Sequence, residues 1–356
     1  MRVVPGIAVA PPSLSGIATR VEGRIAGLLD CELDRWAAVD ADLGEPLAAL
    51  RDLVLAGGKR LRPAFCHWAY VGAGGDPEDP QVVDAGAALE LLHTFALVHD
   101  DIMDGSATRR GTDTIHVQFE AGHALDGWRG EARRFGEGVA ILVGDLAFVY
   151  ADRLLAGAPP AAHQVFTELR IEVNVGQYLD LLGTARGEVN EGTARRISRF
   201  KSGKYTVERP LHLGAALAGR LDDLAAPLSA YGLPLGEAFQ LRDDLLGVFG
   251  DSAITGKPVG EDLREGKPTL LFAIAVQQAS DADAAVLARY GAPDLNEDDV
   301  AALQDVLQSS GAVGTVEGDI DRLVAEAVQA LDGVALADDA RQALVELAFY
   351  VAGRDR

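Results

Sequence analysis

The sequence is poor in cysteine, in aromatic residues and in basic side chains. Its 356 residues include two cysteines, Cys31 and Cys66, and their separation fits neither a disulfide framework nor a zinc-binding motif. Aromatic residues make up 6% of the chain, and no sustained alternation of apolar and polar residues occurs, which disfavours β-sheet. Basic residues number 32 against 54 acidic ones, a net charge of −22. Because such a surface repels polyanions, nucleic acid is not an expected partner.

Two further absences concern the cellular location. No apolar run approaches the ~18–20 residues needed to span a bilayer. The N-terminal segment also lacks the basic start and the long apolar stretch of a signal peptide. We therefore expect no membrane span and a cytoplasmic location, and the prolines and glycines of residues 1–16 predict a flexible N-terminal tail.

The rest of the chain predicts helices, because apolar stretches rich in Ala and Leu run between Gly and Pro breaks. We expect one all-α domain over residues 17–356, a single large helical bundle. The predicted helices cover 17–40, 43–56, 60–71, 81–105, 138–157, 160–182, 192–203, 205–219, 224–250, 268–280, 297–310, 316–332 and 336–353. Polar or Gly-rich segments predict loops or exposed excursions at 72–80, 121–138, 183–192 and 250–268.

One of the predicted apolar helices ends in three carboxylates. Residues 81–105 read QVVDAGAALELLHTFALVHDDIMDG and contain Asp100, Asp101 and Asp104. Asp100 and Asp104 share one helix face, and their charges repel each other and the negative end of the helix dipole. A divalent cation would offset this repulsion, and oxygen ligands favour Mg²⁺. A solvated acidic helix end is the alternative interpretation of this motif alone.

A second acidic pair interrupts another apolar helix. Residues 238–251 read AFQLRDDLLGVFGD, with Asp243 and Asp244 among apolar residues and Gln240 one turn earlier. Because an unpaired buried charge is costly, these carboxylates need a partner. We expect that, if this helix faces the first one, the two sets of carboxylates clamp metal ions that hold a di- or triphosphate.

Basic residues accompany the acidic motifs. The segment GGKRLRP contains Lys59, Arg60 and Arg62, and Arg109 and Arg110 follow the first acidic cluster. The chain has only five lysines, all in Gly- or Ser-containing segments, and such Lys and Arg side chains are typical of phosphate sites. The P-loop, HExxH and GxSxG patterns are absent, so the corresponding nucleotide, zinc-protease and hydrolase sites are not indicated.

Taken in order, five motifs resemble those of the trans-prenyltransferase family, the isoprenyl diphosphate synthases or polyprenyl synthetases. They are GGKRLRP, HTFALVHDDIMDGSATRRG, FKSGKYT, FQLRDDLLG and GKPVGEDLREGKPT. The resemblance implies a bundle around a central cavity, a homodimer and Mg²⁺, as a cluster of up to three ions with Mn²⁺ as an alternative. It also implies two substrates, isopentenyl diphosphate and an allylic diphosphate (dimethylallyl, geranyl or farnesyl).

The resemblance further implies a role for each motif residue. The implied metal ligands are Asp100, Asp104, Asp243 and Asp244. The implied ligands of isopentenyl diphosphate are Lys59, Arg62, His93 and Arg110. The implied contacts of the allylic diphosphate are Arg109, Lys201, Ser202, Gln240, Lys257 and Lys267, and three of these, Lys201, Ser202 and Gln240, are the expected catalytic residues. Gly247 replaces the usual third aspartate of the second motif, so a third ligand would come from elsewhere, such as Asp251 or water.

Side chains before Asp100 predict the product length. The growing chain is expected to run down the helix, and a rise of about 1.5 Å per residue puts Phe95 roughly 7–8 Å deeper than Asp100. A single aromatic at Phe95, with Ala96 after it, resembles synthases of geranylgeranyl diphosphate, and Leu92 is the next candidate floor. Ordinary core packing is the alternative for Phe95, and farnesyl or longer products are alternatives for the enzyme.

The alternative functions are expected to show different sequence motifs. A terpene cyclase has a different second metal motif, with Asn or Asp followed by Ser or Thr and then Glu, and the residues around Asp243 lack it. A non-catalytic regulatory subunit of a heteromeric synthase should have lost the aspartates or the arginine pair, which this chain keeps. The sequence therefore favours an active, chain-elongating prenyltransferase.

Overall fold

A computed structural model describes residues 10–187, 190–250 and 260–353 of the chain. Within these ranges helices account for almost all regular structure, and the strands form a single two-stranded hairpin. The all-α prediction is therefore confirmed.

The helices are numbered in chain order. They are α1 (Pro12–Ala37), α2 (Gly44–Leu55), α3 (Leu61–Gly72), α4 (Pro80–Asp104), α5 (Ile115–Leu125), α6 (Ala132–Leu154), α7 (Pro160–Arg186), α8 (Glu191–Ile197), α9 (Arg209–Leu217), α10 (Leu221–Phe249), α11 (Glu261–Glu265), α12 (Leu270–Gln278), α13 (Ala284–Leu287), α14 (Glu297–Ser309), α15 (Ala312–Ala330) and α16 (Asp338–Gly353). A 3₁₀ turn (Ala41–Leu43) precedes α2, and a π-helix (Ser198–Glu208) connects α8 to α9. Strands β1 (Thr108–Arg109) and β2 (Thr112–Asp113) pair antiparallel.

The chain divides into two compact units whose segments alternate along the sequence. The N-terminal unit comprises Pro12–His67 and Asp76–Pro159, and the C-terminal unit comprises Met1–Pro11, Trp68–Gly75 and Pro160–Arg356. The prediction of one domain over residues 17–356 stays a prediction.

In the N-terminal unit the core is built around α4, which packs against α1, α2 and α6. Asp79 caps the start of α4 by accepting a hydrogen bond from the backbone N–H of Gln81, and Pro80 occupies the first turn. The helix ends where Gly105 adopts a left-handed conformation (φ 66°). These local signals fix the position of the acidic motif at the C-terminal end of α4.

The apolar character of α4 also matches that of a membrane-spanning helix. An 18-residue window of α4 has a mean hydropathy of 1.3, and 61% of this window is buried inside the protein. By the hydropathy of this window, the expectation that no apolar run is long enough to span a bilayer is wrong. A mostly buried core helix passes the same test, so the finding is weak evidence for a membrane span.

In the C-terminal unit the longest helix is α10, which packs against the π-helix, α15 and α16. The buried hydroxyl of Tyr231 donates a hydrogen bond to the carbonyl oxygen of Leu344 (2.7 Å), and Arg242 Nε donates one to that of Ala352 (2.9 Å). Each such bond contributes about 1 kcal/mol. Since Arg242 directly precedes Asp243, its bond to α16 holds the part of α10 that carries the second acidic motif against α16.

Several predicted segments differ from the structure, among them the predicted loop 250–268, which contains α11 (Glu261–Glu265). Helix α1 begins at Pro12, so residues 12–16 of the predicted tail are helical, while residues 1–9 lie outside the described range. The segment 121–138 is largely exposed as expected, but it contains the end of α5 and the start of α6. The predicted break near residue 204 is absent, because the π-helix continues directly into α9.

Candidate active site

A short hairpin after α4 presents the predicted arginine pair. Arg110 and Gly111 form its two-residue turn, and both have positive φ (53° and 77°), the arrangement of a type I′ turn. This backbone conformation is costly for a non-glycine residue. Strained residues of this kind cluster at functional sites, so Arg110 is a candidate ligand-binding residue on geometric grounds.

Arg109 pairs with the middle aspartate of the first acidic motif. Its Nε and Nη2 atoms lie 2.7 Å and 2.5 Å from Oδ1 of Asp101, which is buried. This ion pair joins the hairpin to the last turn of α4. Asp100 and Asp104, on either side of Asp101, are half-buried and one helical turn apart.

Arginine side chains crowd around His93. The pKa of His93 lies well below its usual range, because the half-buried ring is largely shielded from water and because Arg62, Arg110, Arg109 and Arg60 all stand near it. Burial and the neighbouring charge of Arg60 also lower the pKa of Arg110. His93 is therefore neutral at pH 7, and the surrounding positive charges create a strong attraction for an anion.

Arg60 has a structural role in this cluster that the sequence did not reveal. Its backbone has a positive φ of 48°, and its buried guanidinium bonds to Glu22 Oε1 (2.9 Å), Glu90 Oε2 (2.6 Å) and the carbonyl oxygen of Val54 (2.6 Å). These bonds hold the GGKRLRP segment on α1 and α4. Lys59, before Arg60, and Arg62, two residues after it, are half-buried, and their backbone positions follow from this anchor.

A chain of hydrogen bonds links two of the predicted catalytic residues, Ser202 and Gln240, to Asp244 in the C-terminal unit. The hydroxyl of Ser202 donates to Gln240 Oε1, and Gln240 Nε2 donates to Asp244 Oδ1 (2.7 Å). The neighbouring Lys201 places Nζ 2.5 Å from Oδ2 of Asp180 on α7. The π-helix and α10 thus bring Lys201, Ser202, Gln240 and Asp244 of the prediction into one group.

The π-helix that carries Lys201 and Ser202 is tied to α7 by ion pairs. Lys204 pairs with Glu172, and Arg209 places Nε 2.6 Å from Oε2 of the same carboxylate. Arg209 Nη2 donates a second bond to Glu172 Oε1 (2.7 Å). Since Lys204 pairs with Glu172, we assign it a structural role.

Asp262 fills the space left by the missing third aspartate of the second motif. A Cβ atom added at Gly247 would lie 1.9 Å from Asp262 Oδ2, so the carboxylate of Asp262 stands directly against the glycine. Lys267 Nζ lies 3.6 Å from Asp262 Oδ1. The third carboxylate on this side of α10 therefore comes from α11, and Asp251 lies outside the described residues.

The crowding of carboxylates changes the protonation of Asp244. The pKa of Asp244 is raised to about 7, mainly by burial and also by the nearby charges of Asp262 and Asp243, while the hydrogen bond from Gln240 opposes the shift. A cation placed next to this group would reverse the shift, because it would stabilise the ionised carboxylates.

Comparisons with known proteins show which family the chain belongs to. A model of the polyprenyl synthetase family matches residues 46–307. The chain belongs to the polyprenyl synthetase family. It is 33% identical over 304 residues to a geranylfarnesyl diphosphate synthase of Aeropyrum pernix, covering 83% of this chain and 89% of that one. It is also 34% identical over 280 residues to a geranylgeranyl diphosphate synthase of Mycobacterium tuberculosis, covering 77% of this chain and 75% of that one.

Solved structures include a similar polyprenyl synthetase fold. The geranylgeranyl pyrophosphate synthase of Corynebacterium glutamicum, crystallised with isoprenyl diphosphate and magnesium, superposes with a TM-score of 0.90 and 38% identity. The match covers 95% of this chain and 99% of that one. This polyprenyl synthetase is therefore a chain-elongating prenyltransferase, which confirms the function class that the motifs implied.

The carboxylates of this synthetase suit Mg²⁺, the ion present in the Corynebacterium glutamicum crystal structure. Over residues 10–187, 190–250 and 260–353, no three His, Cys, Asp or Glu side chains converge in a way that could hold a metal ion. Mg²⁺ requires fewer protein ligands, since it commonly takes one or two carboxylates together with water and substrate phosphates. Asp100 with Asp104, and Asp243 with Asp244, supply oxygen donors of that kind and number.

The predicted site residues of the synthetase fall into three sets. Those on or beside α3, α4 and the hairpin lie in the N-terminal unit, and they are Lys59, Arg62, His93, Asp100, Asp104, Arg109 and Arg110. Those on the π-helix, α10 and the segment after α11 lie in the C-terminal unit, and they are Lys201, Ser202, Gln240, Asp243, Asp244 and Lys267. Lys257 lies outside the described residues.

Proposed function

We propose that this synthetase condenses isopentenyl diphosphate with an allylic diphosphate and releases geranylgeranyl diphosphate as its main product. The observation that carries the proposal is the single aromatic side chain, Phe95, five residues before Asp100 on α4, with the small Ala96 at the next position. The similarity to named geranylgeranyl diphosphate synthases supports it. Farnesyl and longer products are the alternatives, since a geranylfarnesyl diphosphate synthase is comparably similar.

In this proposal the arginine cluster binds isopentenyl diphosphate. Lys59, Arg62 and Arg110 supply positive charges, and His93 supplies a neutral ring that can donate a hydrogen bond. Burial and the repulsion of neighbouring arginines lower the pKa values of His93 and Arg110, and the repulsion supports this role, because a bound diphosphate would offset it. Arg60 holds the segment in place rather than binding substrate.

The allylic diphosphate is bound by Mg²⁺ and by the side chains that the family motifs assign to the allylic substrate. We propose that Asp100, Asp104, Asp243 and Asp244 hold a cluster of up to three Mg²⁺ ions, with Mn²⁺ as a substitute. When bound, these ions neutralise the diphosphate and make it a better leaving group. The side chains that contact the allylic substrate directly are Arg109, Lys201, Ser202, Gln240, Lys257 and Lys267.

The proposed chemistry needs no side-chain nucleophile. The C–O bond of the allylic diphosphate breaks, the bonding electrons leave with the diphosphate, and an allylic carbocation forms. The double bond of isopentenyl diphosphate attacks this cation, and the new cation loses a proton to the released diphosphate. Lys201, Ser202 and Gln240 stabilise the leaving diphosphate with fixed hydrogen-bond donors.

The test is a product assay with purified full-length enzyme. Mg²⁺, labelled isopentenyl diphosphate and dimethylallyl, geranyl or farnesyl diphosphate are combined in turn, and the products are separated by chromatography. We expect geranylgeranyl diphosphate as the main product from each starter. Products that stop at farnesyl diphosphate, or that extend beyond geranylgeranyl diphosphate, would contradict the assignment of product length.

We also propose that the synthetase is a homodimer, because two helices carry exposed apolar faces. On α6, Ile141, Leu142 and Val149 are 45–62% exposed. On α7, Ile171, Val175 and Tyr178 are 44–64% exposed and follow the i, i+4, i+7 spacing of one face. Apolar faces of this kind mark interaction surfaces, and a second copy of the chain is the occupant that the family resemblance implies.

Sedimentation velocity tests the dimer. The wild-type chain is expected to sediment as a dimer, and Val175→Arg is expected to shift it toward monomer, because the charge would be buried in the interface. Thr184→Arg, at an exposed polar position on the opposite face of the same helix, is the matched control. A monomeric wild-type chain would disprove the proposal.

Finally, we propose a cytoplasmic location. Both cysteines are free thiols, Cys31 on the surface and Cys66 buried, as is usual in a reducing compartment. Cell fractionation tests this, and recovery of the enzyme in the membrane fraction would contradict it.

A further inference from the structure

Phe95 does not stand alone at the predicted floor of the product cavity. Its half-buried ring lies edge-on to the ring of Phe148 on α6, with centroids 4.9 Å apart and an interplanar angle of 61°. It also contacts His99, one turn later on α4, at 4.6 Å. Phe148 belongs to none of the family motifs, and only this contact draws attention to it.

The register between α4 and α6 is fixed one turn away from the ring pair. His99 Nε2 donates a hydrogen bond to the carbonyl oxygen of Ile141 (3.2 Å). The ring of His99 occupies the space beside Gly144, where an added Cβ would lie 2.4 Å from Nε2. Because any side chain at Gly144 would push His99 away, this close contact prevents α6 from sliding along α4.

These contacts show that α4 and α6 run antiparallel. His99 lies against Gly144, and Phe95, four residues earlier on α4, lies against Phe148, four residues later on α6. The next level down therefore has Leu92 on α4 and Ala151 on α6. The neighbours of Phe148 on the inner side of α6, Gly144, Ala147 and Ala151, are small, so Phe148 supplies the bulk of α6 at this level.

Burial changes at the level of the two rings. On α4, residues 85–92 are all buried, whereas His93, Phe95, Ala96 and Asp100 are half-buried. On α6, Ala147 and Ala151 are buried, whereas Phe148 is half-buried. The Phe95–Phe148 pair thus lies at the boundary between two parts of α4. One is the less buried end that carries the aspartates, and the other is the fully buried core.

We propose that Phe148 is a second residue that determines product length, and that it forms one two-ring floor with Phe95. This inference rests on the proposed function. It predicts that removing either ring opens part of the floor, and that removing both lets the product reach the level of Leu92 and Ala151. That level lies about 4.5 Å deeper, three residues along each helix, which is close to the length of one isoprene unit.

The experiment compares Phe148→Ala, Phe95→Ala and the double variant with the wild-type enzyme. Each is incubated with Mg²⁺, farnesyl diphosphate and labelled isopentenyl diphosphate, and the product lengths are measured by chromatography. We expect each single variant to shift part of the product to chains one isoprene unit longer, and the double variant to make the longer chains its main product. Phe135→Ala is the matched control, since Phe135 is also on α6 but packs against Trp128 and His123.

A purely structural role for Phe148 would lower thermal stability without changing product length. An unchanged product distribution in a folded, active Phe148→Ala enzyme would therefore overturn the inference. If that variant does not fold, Phe148→Leu, which keeps apolar volume but removes the ring, decides in the same assay. A wild-type enzyme that forms no elongated product would instead contradict the proposed function, so the two failures are distinguishable.

Discussion

His93 and Asp244, one predicted site residue from each unit, have opposite electrostatic environments. In the N-terminal unit, burial and arginines lower the pKa of His93 and keep the ring neutral. In the C-terminal unit, burial and nearby carboxylates raise the pKa of Asp244 to about 7. The arginines around His93 therefore crowd positive charge together, and the carboxylates around Asp244 crowd negative charge together. A bound diphosphate would offset the first repulsion and a divalent cation the second.

The largest effect is expected from removing metal-binding carboxylates. Asp100→Ala or Asp243→Ala should lower turnover by several orders of magnitude, more than the about 10²–10³-fold that loss of one fixed hydrogen-bond donor costs. Turnover with Mg²⁺ and circular dichroism are measured together, because the fold should be intact. Asp222→Ala, at an exposed position on α10, is the matched control. Near-normal turnover in either variant would remove the metal assignment.

A pair of variants separates the two substrate groups. Arg110→Gln should raise KM for isopentenyl diphosphate, and Lys201→Gln should raise KM for the allylic diphosphate. Each increase should be about 10- to 150-fold, since a hydrogen bond to a charged group contributes about 1.5–3 kcal/mol. Steady-state kinetics with one substrate varied at a time measure both values, and Arg134→Gln on the surface of α6 is the control. Equal effects on both KM values would contradict the division into two groups.

The raised pKa of buried Asp244 predicts that the folded protein loses stability as the pH rises to 7. The pKa of Asp244 rises from 3.8 to about 7 on folding, so the folded state keeps a proton that the unfolded chain releases between these values. Stability from this group is therefore greatest near pH 4 and falls as the pH rises to 7. Asp244→Asn should be more stable than wild type at pH 7.5, by up to the order of 4 kcal/mol, and similar at pH 4.

Denaturant unfolding of the metal-free protein measures this difference. Chelator is added throughout, because bound cations would favour the ionised carboxylates in the wild type alone. A stability difference that does not vary with pH would show that Asp244 is ionised in the folded protein.

The lowered pKa of His93 predicts the opposite trend, a loss of stability as the pH falls. Because folding lowers the pKa of His93 below its ordinary value of 6.5, the unfolded chain gains a proton below pH 6.5 that the folded state does not bind. Stability is therefore full above pH 6.5 and falls as the pH falls, by at most about 1.4 kcal/mol per pH unit. In His93→Gln this part of the pH dependence should disappear in unfolding measurements between pH 7 and 5. Identical pH profiles for the variant and the wild type would contradict it.

Local signals explain why most of the fold was predictable. The sequence predicts α4 at 81–105, and the helix spans Pro80–Asp104, because Pro80 and Gly105 are strong start and stop signals. The π-helix could not be predicted in this way. Its extra residue per turn has no sequence signature, and the ion pairs of Lys204 within it and of Arg209 just after it join residues 32 and 37 positions from Glu172.

The motifs predict which residues belong to the candidate site, but they do not predict which side chains contact one another. Asp100, Asp243 and the arginines follow from the family motifs, whereas Asp262 beside Gly247 depends on how α11 packs against α10. Arg60 and Arg62 stand in one motif and look alike in sequence. The structure separates them, because the bonds of Arg60 to Glu90 and Val54 depend on the positive φ of that residue and on neighbouring helices.

The π-helix has a consequence for how the chain tolerates insertions and deletions. An α-helix turns about 100° per residue, so deleting one residue between Ser198 and Glu208 would allow an α-helical turn and rotate one flank by that amount. Either Lys201 and Ser202 or the ion pairs of Lys204 and Arg209 would then point elsewhere. We expect length variants at residues 73–79 to retain activity and single-residue deletions in the π-helix to lose it, so chain length in this segment is itself a functional constraint.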